Sequence, residues 1–169
     1  MNILSPDQIV ALAAGAGFSG PDLATAAAIA LAETLPSGNA DSYNPEQRAG
    51  AAANQGSYGL WQIYITAHPE FNAAQLLDPT TNAAAAFQIY QQAGSSFRPW
   101  STYASGKYLN YMPQVQAAIA AAAPSSPAPG DAGGNGGSAP PDGSSSGSSW
   151  PVIITAGALG LAAWFWLRG

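Results

Sequence analysis

The sequence predicts a mainly α-helical domain over residues 1–123, a flexible linker over 124–149 and a single C-terminal transmembrane helix within 150–169. Helix starts and stops recur through the first region, at Ser5-Pro6-Asp7-Gln8, Pro21-Asp22, Asp78-Pro79 and Pro113, around alanine-rich apolar runs. Composition then shifts almost wholly to Pro, Gly, Ser and Ala, and after it comes an uncharged apolar stretch. The 169 residues carry only 8% charged side chains, with 4 Lys+Arg against 9 Asp+Glu and a net charge of −5. Such a chain lacks the basic patch that neutralises phosphates, which excludes nucleic acid as a partner. It is equally unsuited to electrostatic capture by an anionic surface or wall polymer. Without Cys and with one His, disulfide scaffolds, thiol nucleophiles and multi-His metal sites are excluded, so no metal or cofactor is expected.

The elements follow in order. Ser5 is placed to cap a first helix, Pro6 suits its first position and Gln8 completes a capping box. That helix ends near Gly15 or Gly17. A second starts at Pro21-Asp22 and runs to Leu35, where Pro36 stops it. Its stretch Leu23–Ala32 is apolar almost all round, so it belongs in a core. Residues 36–57 read as loop, rich in Pro, Gly and Asn. The short apolar run Tyr58–Ile65 is ambiguous between strand and helix. A third helix runs from Asp78-Pro79 through Gln92, with Gly94 at its end. Phe97–Gly106 reads as a loop, and a last helix runs from Pro113 to Ala123. The expected domain is thus helical with little or no sheet.

Residues 124–149 cannot bury enough apolar surface to offset chain entropy, so they are expected to be disordered, a tether with an r.m.s. reach of roughly 30 Å. The segment 150–167, WPVIITAGALGLAAWFWL, carries no charge and is flanked by Arg168. Its length is at the short end for a bilayer-spanning helix, and Trp150, Trp164 and Trp166 sit where interfacial aromatic belts form. The alternative is a helix buried in a core or an assembly. The start, MNILSPDQIV, lacks the basic region and long apolar core of a signal peptide.

The chemistry concentrates on one carboxylate. His68, in His68-Pro69, reads as a surface turn and a poor partner for a serine nucleophile. Among the glutamates, Glu46 sits in a polar loop near Arg48 and Glu70 follows His68-Pro69; both read as solvated. Glu33 lies instead in the last turn of the apolar helix. Burial and the negative end of the helix dipole both disfavour its charged form and raise its pKa. A carboxylic acid held protonated near neutral pH is what general-acid cleavage of a glycosidic bond needs. The alternative is a helix-end Glu bonded to a loop amide.

Ala30-Leu31-Ala32-Glu33-Thr34, followed after a variable loop by Ser57-Tyr58-Gly59-Leu60-Trp61-Gln62-Ile63, resembles lysozyme-like lytic transglycosylase domains, the soluble-lytic-transglycosylase and goose-type lysozyme group. Asp78-Pro79-Thr80-Thr81-Asn82-Ala83 and Trp100-Ser101-Thr102-Tyr103 with Gly106-Lys107-Tyr108 extend the likeness over roughly residues 5–120. The chain is similar to the muralytic domains of bacteriophage virion proteins. The resemblance implies a lysozyme-like helical fold and cleavage between N-acetylmuramic acid and N-acetylglucosamine, with peptidoglycan glycan strands as partner. It implies Glu33 as catalytic acid/base, Gln62 in the cleft floor and Tyr103 beside Glu33. It implies Tyr58, Trp61 and Tyr64 as stacking surface, core packing being the competing role for Trp61 and Tyr64. Thr34 stands where the family usually has Ser, and is carried over as a substrate-binding candidate.

A hydrolase of the standard kind needs a second carboxylate, for which Asp41 is the nearby loop candidate; a lytic transglycosylase works with one acid. The expectation is therefore a membrane-anchored peptidoglycan-cleaving enzyme. With no signal peptide, it is placed in a phage virion with an internal membrane, beside a lipid bilayer and other virion proteins, for local wall penetration during genome delivery. A cell-envelope location is the variant. A non-catalytic peptidoglycan-binding or structural virion membrane protein is the alternative.

Overall fold

In the computed structural model, which describes residues 2–52 and 54–123, the helix punctuation becomes a helical frame around one buried helix. Helix α1 (Pro6–Ala16) opens on a complete capping box: Ser5 Oγ accepts the Gln8 N–H at 3.4 Å and Gln8 Oε1 accepts the Ser5 N–H at 2.9 Å. It ends at Gly17, whose φ of 119° is left-handed and whose added Cβ would lie 2.7 Å from the Phe87 ring. Helix α2 (Gly20–Glu33) buries every residue from Ala26 to Leu31, as an apolar circumference requires. Helix α1 and the last helix, α5 (Met112–Ala122), pack against it. Helix α2 stops at Glu33, short of the expected Leu35, because Thr34 is already extended. Helix α3 (Pro79–Gln92) matches expectation, with Asp78 Oδ1 accepting the Thr81 N–H at 2.8 Å.

Two expected loops are corrected. The loop over 36–57 contributes to a three-stranded antiparallel sheet: β1 (Tyr43–Pro45), β2 (Gly56–Tyr58) and β3 (Ile63–Tyr64), in that order; strands this short leave the domain mainly helical with little sheet, as expected. Tyr43 pairs with Tyr58, Pro45 with Gly56 and Ser57 with Tyr64. Strands this short have no alternation to read; pairing alone defines them. The ambiguous run Tyr58–Ile65 is the end of β2, a turn, and β3. The expected loop Phe97–Gly106 contains α4 (Ser101–Ala104), followed by a 3-10 turn at Lys107–Tyr111. A single turn of helix does not nucleate alone and is held by tertiary packing.

One hydrogen-bond chain fastens the sheet turn to the helices. Trp61 is wholly buried; its indole N–H donates to the Ala26 carbonyl of α2 at 3.0 Å. Its backbone N–H donates to Asn82 Oδ1 of α3 at 2.9 Å, and its carbonyl accepts the Trp100 indole N–H at 2.9 Å. Asn82 Nδ2 donates to the Tyr58 and Leu76 carbonyls. Gly59, at φ 72°, passes so close to the Leu76 carbonyl and the Asn82 amide that no Cβ fits. Among the described residues no buried side-chain nitrogen or oxygen lacks a partner, and no helix is long and apolar enough to cross a membrane. The linker and span expected at 124–149 and 150–167 lie outside the described residues.

Candidate active site

Glu33 ends α2, so its backbone is fixed by the core while its side chain emerges half-buried. The Thr102 hydroxyl of α4 donates to Glu33 Oε1 at 2.7 Å. Burial pushes the carboxyl above its ordinary pKa; the side-chain and backbone hydrogen bonds from Thr102 and the positive Lys107 pull it down without cancelling that effect. The group is therefore a carboxyl whose neutral form burial favours, held in place by a donor that also stabilises it once the proton has left.

Glu33 lines a cavity of about 220 Å³ together with Gln62, Tyr64, His68, Trp100 and Ser101. Gln62, at φ 46°, is turned by the Gly59 bend and anchors its amide by donating to the Gly59 and Ser42 carbonyls. Tyr64 donates its phenol proton to Glu46. The register explains this contact. Tyr64 and Asn44 both stand opposite Ser57, and side chains two apart on a strand share a face, so Glu46, just past β1, lies on the Tyr64 face. The small Ser57 between them lets the tyrosine reach across β2. Glu46 is thus a partner of the cleft wall, where the sequence suggested a solvated loop carboxylate. His68, read as a surface turn residue, is half-buried in the same cleft, its Nδ1 3.3 Å from Glu70 Oε1. Thr102 and Ser101 were not singled out and His68 was set aside, because only the fold gathers them around Glu33. The nearest signal was the Trp-Ser-Thr-Tyr segment, which pointed to Tyr103.

Other candidates lie elsewhere. Thr34 is fully buried; its hydroxyl donates to the Ala30 carbonyl at 3.1 Å and accepts the Gly38 N–H at 2.7 Å, so it secures the helix end and is no substrate contact. Tyr58 is buried against Tyr43 with its phenol donating to the Asn54 carbonyl, and it lines a different concavity from Glu33. Trp61 is core, the competing role given to it. Tyr103 does not line the Glu33 cavity: successive residues of α4 diverge, sending Thr102 to Glu33 and Tyr103 to Phe97 and Tyr108. Asp41 is exposed and also outside the cleft. Glu33 is the one carboxyl-bearing residue among the described residues lining this cavity. No group of three or more His, Asp or Glu among the described residues is arranged to hold a metal ion.

The sequence family described as a lysozyme-like domain matches residues 10–102, more than half of the chain, a span that holds Glu33, Gln62, Tyr64, His68 and Thr102. Searches of curated proteins and of solved structures return no match.

Proposed function

The chain belongs to the lysozyme-like domain family, and from that premise we propose that it cleaves peptidoglycan between N-acetylmuramic acid and N-acetylglucosamine as a lytic transglycosylase. The observation that carries this reading is the half-buried Glu33 carboxyl, its pKa raised by burial, as the one carboxyl-bearing residue among the described residues lining a cleft of polar and aromatic side chains. In the proposed reaction Glu33 gives its proton to the glycosidic oxygen as the C1–O bond breaks. The leaving sugar departs with a new hydroxyl. Glu33, now a carboxylate stabilised by Thr102, takes the proton of the substrate's own 6-hydroxyl as that oxygen bonds to C1. The product is a 1,6-anhydro sugar, no water is consumed, and the enzyme ends protonated as it began. A standard hydrolase needs a second carboxylate roughly 5–9.5 Å from the first, and the absence of another carboxyl-bearing residue among those lining the cavity favours the one-acid route.

The test is muropeptide mass spectrometry of purified peptidoglycan treated with the full chain, beside Glu33→Gln. Anhydro-muropeptides that vanish with Glu33→Gln are the expected result; reducing-end products would make the protein a hydrolase, and no products from the folded chain would end the enzymatic reading. We place this activity at a membrane, with residues 150–167 as the anchor and 124–149 as the tether. The uncharged, Trp-flanked composition of 150–167 supports the anchor, and the likeness to muralytic phage domains supports a virion location. Deleting residues 150–169 should release the chain from liposomes in a flotation assay; continued flotation would refute the anchor.

A further inference from the structure

Next to the cleft is a second concavity that catalysis by Glu33 does not use. It measures about 750 Å³ and is lined by Arg98, Tyr103, Tyr108 and Leu109, with Gly106 turning the chain at its base. The Tyr103 and Tyr108 rings stack at 5.2 Å and 28°, and Leu109 is 55% exposed. The Arg98 guanidinium has no hydrogen-bond or ion-pair partner among the described residues. An exposed leucine, a tyrosine pair and an unpaired guanidinium make a surface suited to a ligand with short apolar groups and a carboxylate.

The segment 98–103 divides this groove from the cleft. Pro99, Trp100 and Ser101 line the Glu33 side, while Arg98 and Tyr103 line the other. Four consecutive Cα atoms span at most about 11 Å, and a tetrapeptide branch extends about 13 Å. A branch of that length leaving a sugar in the cleft is long enough to cross the partition between Ser101 and Arg98. The charge distribution points the same way. The chain as a whole is acidic, yet of the cations Arg48, Arg98 and Lys107 among the described residues, Lys107 acts on Glu33 and Arg98 stands across the partition.

We propose that the Arg98–Tyr103–Tyr108–Leu109 groove binds the stem peptide of the glycan strand, with Arg98 pairing a peptide carboxylate and the tyrosine rings covering the alkyl portions. This rests on the peptidoglycan reading above and adds that substrate choice is set by the peptide as well as the sugars. The experiment compares the full chain and Arg98→Gln on two substrates, peptide-bearing strands and strands stripped of peptide. The ratio of the two rates should fall roughly two- to fivefold in Arg98→Gln and recover in part in Arg98→Lys, in line with one exposed charged pair. A structural defect lowers both rates and leaves the ratio alone; an unchanged ratio overturns the proposal. Isothermal titration of the same proteins with L-alanyl-γ-D-glutamyl-L-lysyl-D-alanine and its carboxyl-amidated form gives a readout independent of catalysis. Binding that weakens on amidation and in Arg98→Gln supports the groove even if neither substrate is cut, an outcome that would refute the enzymatic reading alone. No binding, or binding of a glycerol-phosphate polymer in place of the peptide, overturns it.

Discussion

The two walls of the Glu33 cleft are built by opposite strategies. The helical wall, Glu33 on α2 and Thr102 on α4, is a rigid extension of the core: α2 is buried on all sides, and its last residue is aimed by everything beneath it. The sheet wall, Gln62 and Tyr64, hangs on strands of two and three residues and is shaped by backbone turns, by the Trp61–Asn82–Trp100 bonds and by the Tyr64–Glu46 contact at its rim. The first wall keeps its carboxyl in a half-buried place where burial favours the proton. The second offers hydrogen-bonding and ring surface to a ligand. Chemistry should therefore fail when the helical wall is altered, and affinity should change when the sheet wall is.

Glu33→Gln is the strongest test of that division. A positioned general acid contributes roughly 10²–10⁴-fold, so the rate of anhydro-product formation should fall by that much. Folding should not suffer. Burial holds the Glu33 pKa above its unfolded value, so the protonated folded form is favoured; that advantage is complete below the unfolded value and is lost as pH rises through the folded one. The neutral amide cannot take on the charge that burial penalises. Glu33→Gln should unfold at the same or a higher temperature, checked by calorimetry at pH 4 and pH 7. A large drop at pH 7 would mean the carboxylate is a structural keystone.

Thr102→Val is the intermediate case. Its hydroxyl and backbone bonds stabilise the Glu33 carboxylate, so removing the hydroxyl should raise the Glu33 pKa further. The alkaline limb of the kcat/KM profile should move to higher pH, and kcat should fall about tenfold because the acid is less firmly aimed. A loss of kcat with an unmoved pH profile would show Thr102 to be packing alone.

Glu33, Gln62 and Tyr64 were named from the sequence and line one cavity, whereas Thr102 and the strand pairing behind the sheet wall were not legible. A run such as Leu23–Ala32 announces a buried helix, and an acid at its end stands out because burial makes it costly. Helix caps are local and readable, as Ser5 with Gln8 and Asp78 with Thr81 show. Tyr103 and Thr102 were separable only in three dimensions, since a one-residue step on a short helix turns a side chain by about 100°. Glu46 was opaque for a different reason. It is two strands from Tyr64, and the contact depends on a register in which a serine intervenes. His68 looked like a turn residue because its place in the cleft comes from sharing a cavity with Tyr64 of β3 and Ser101 of α4, not from its neighbours in sequence. Thr34 shows the reverse hazard, a hydroxyl beside the acid whose partners are the Ala30 carbonyl and the Gly38 N–H.

The smallest expected effects are at the Tyr64–Glu46 pair, and they sharpen the comparison most. Tyr64→Phe keeps the ring and removes the donor to Glu46. A half-exposed acceptor finds water, so the cost is well under about 1 kcal/mol, and KM should rise about two- to threefold with kcat unchanged. Glu46→Gln keeps an oxygen that can accept the phenol proton and should change KM even less. Steady-state rates on a defined glycan oligomer separate these outcomes. If Glu46→Gln instead abolishes turnover as Glu33→Gln does, the two walls each carry an acid. The products should then have reducing ends, since a carboxylate that activates water has no place in closing a 1,6-anhydro ring. The charge on Glu46, more than its hydrogen bond, thus decides whether the sheet wall holds the sugar or joins the reaction.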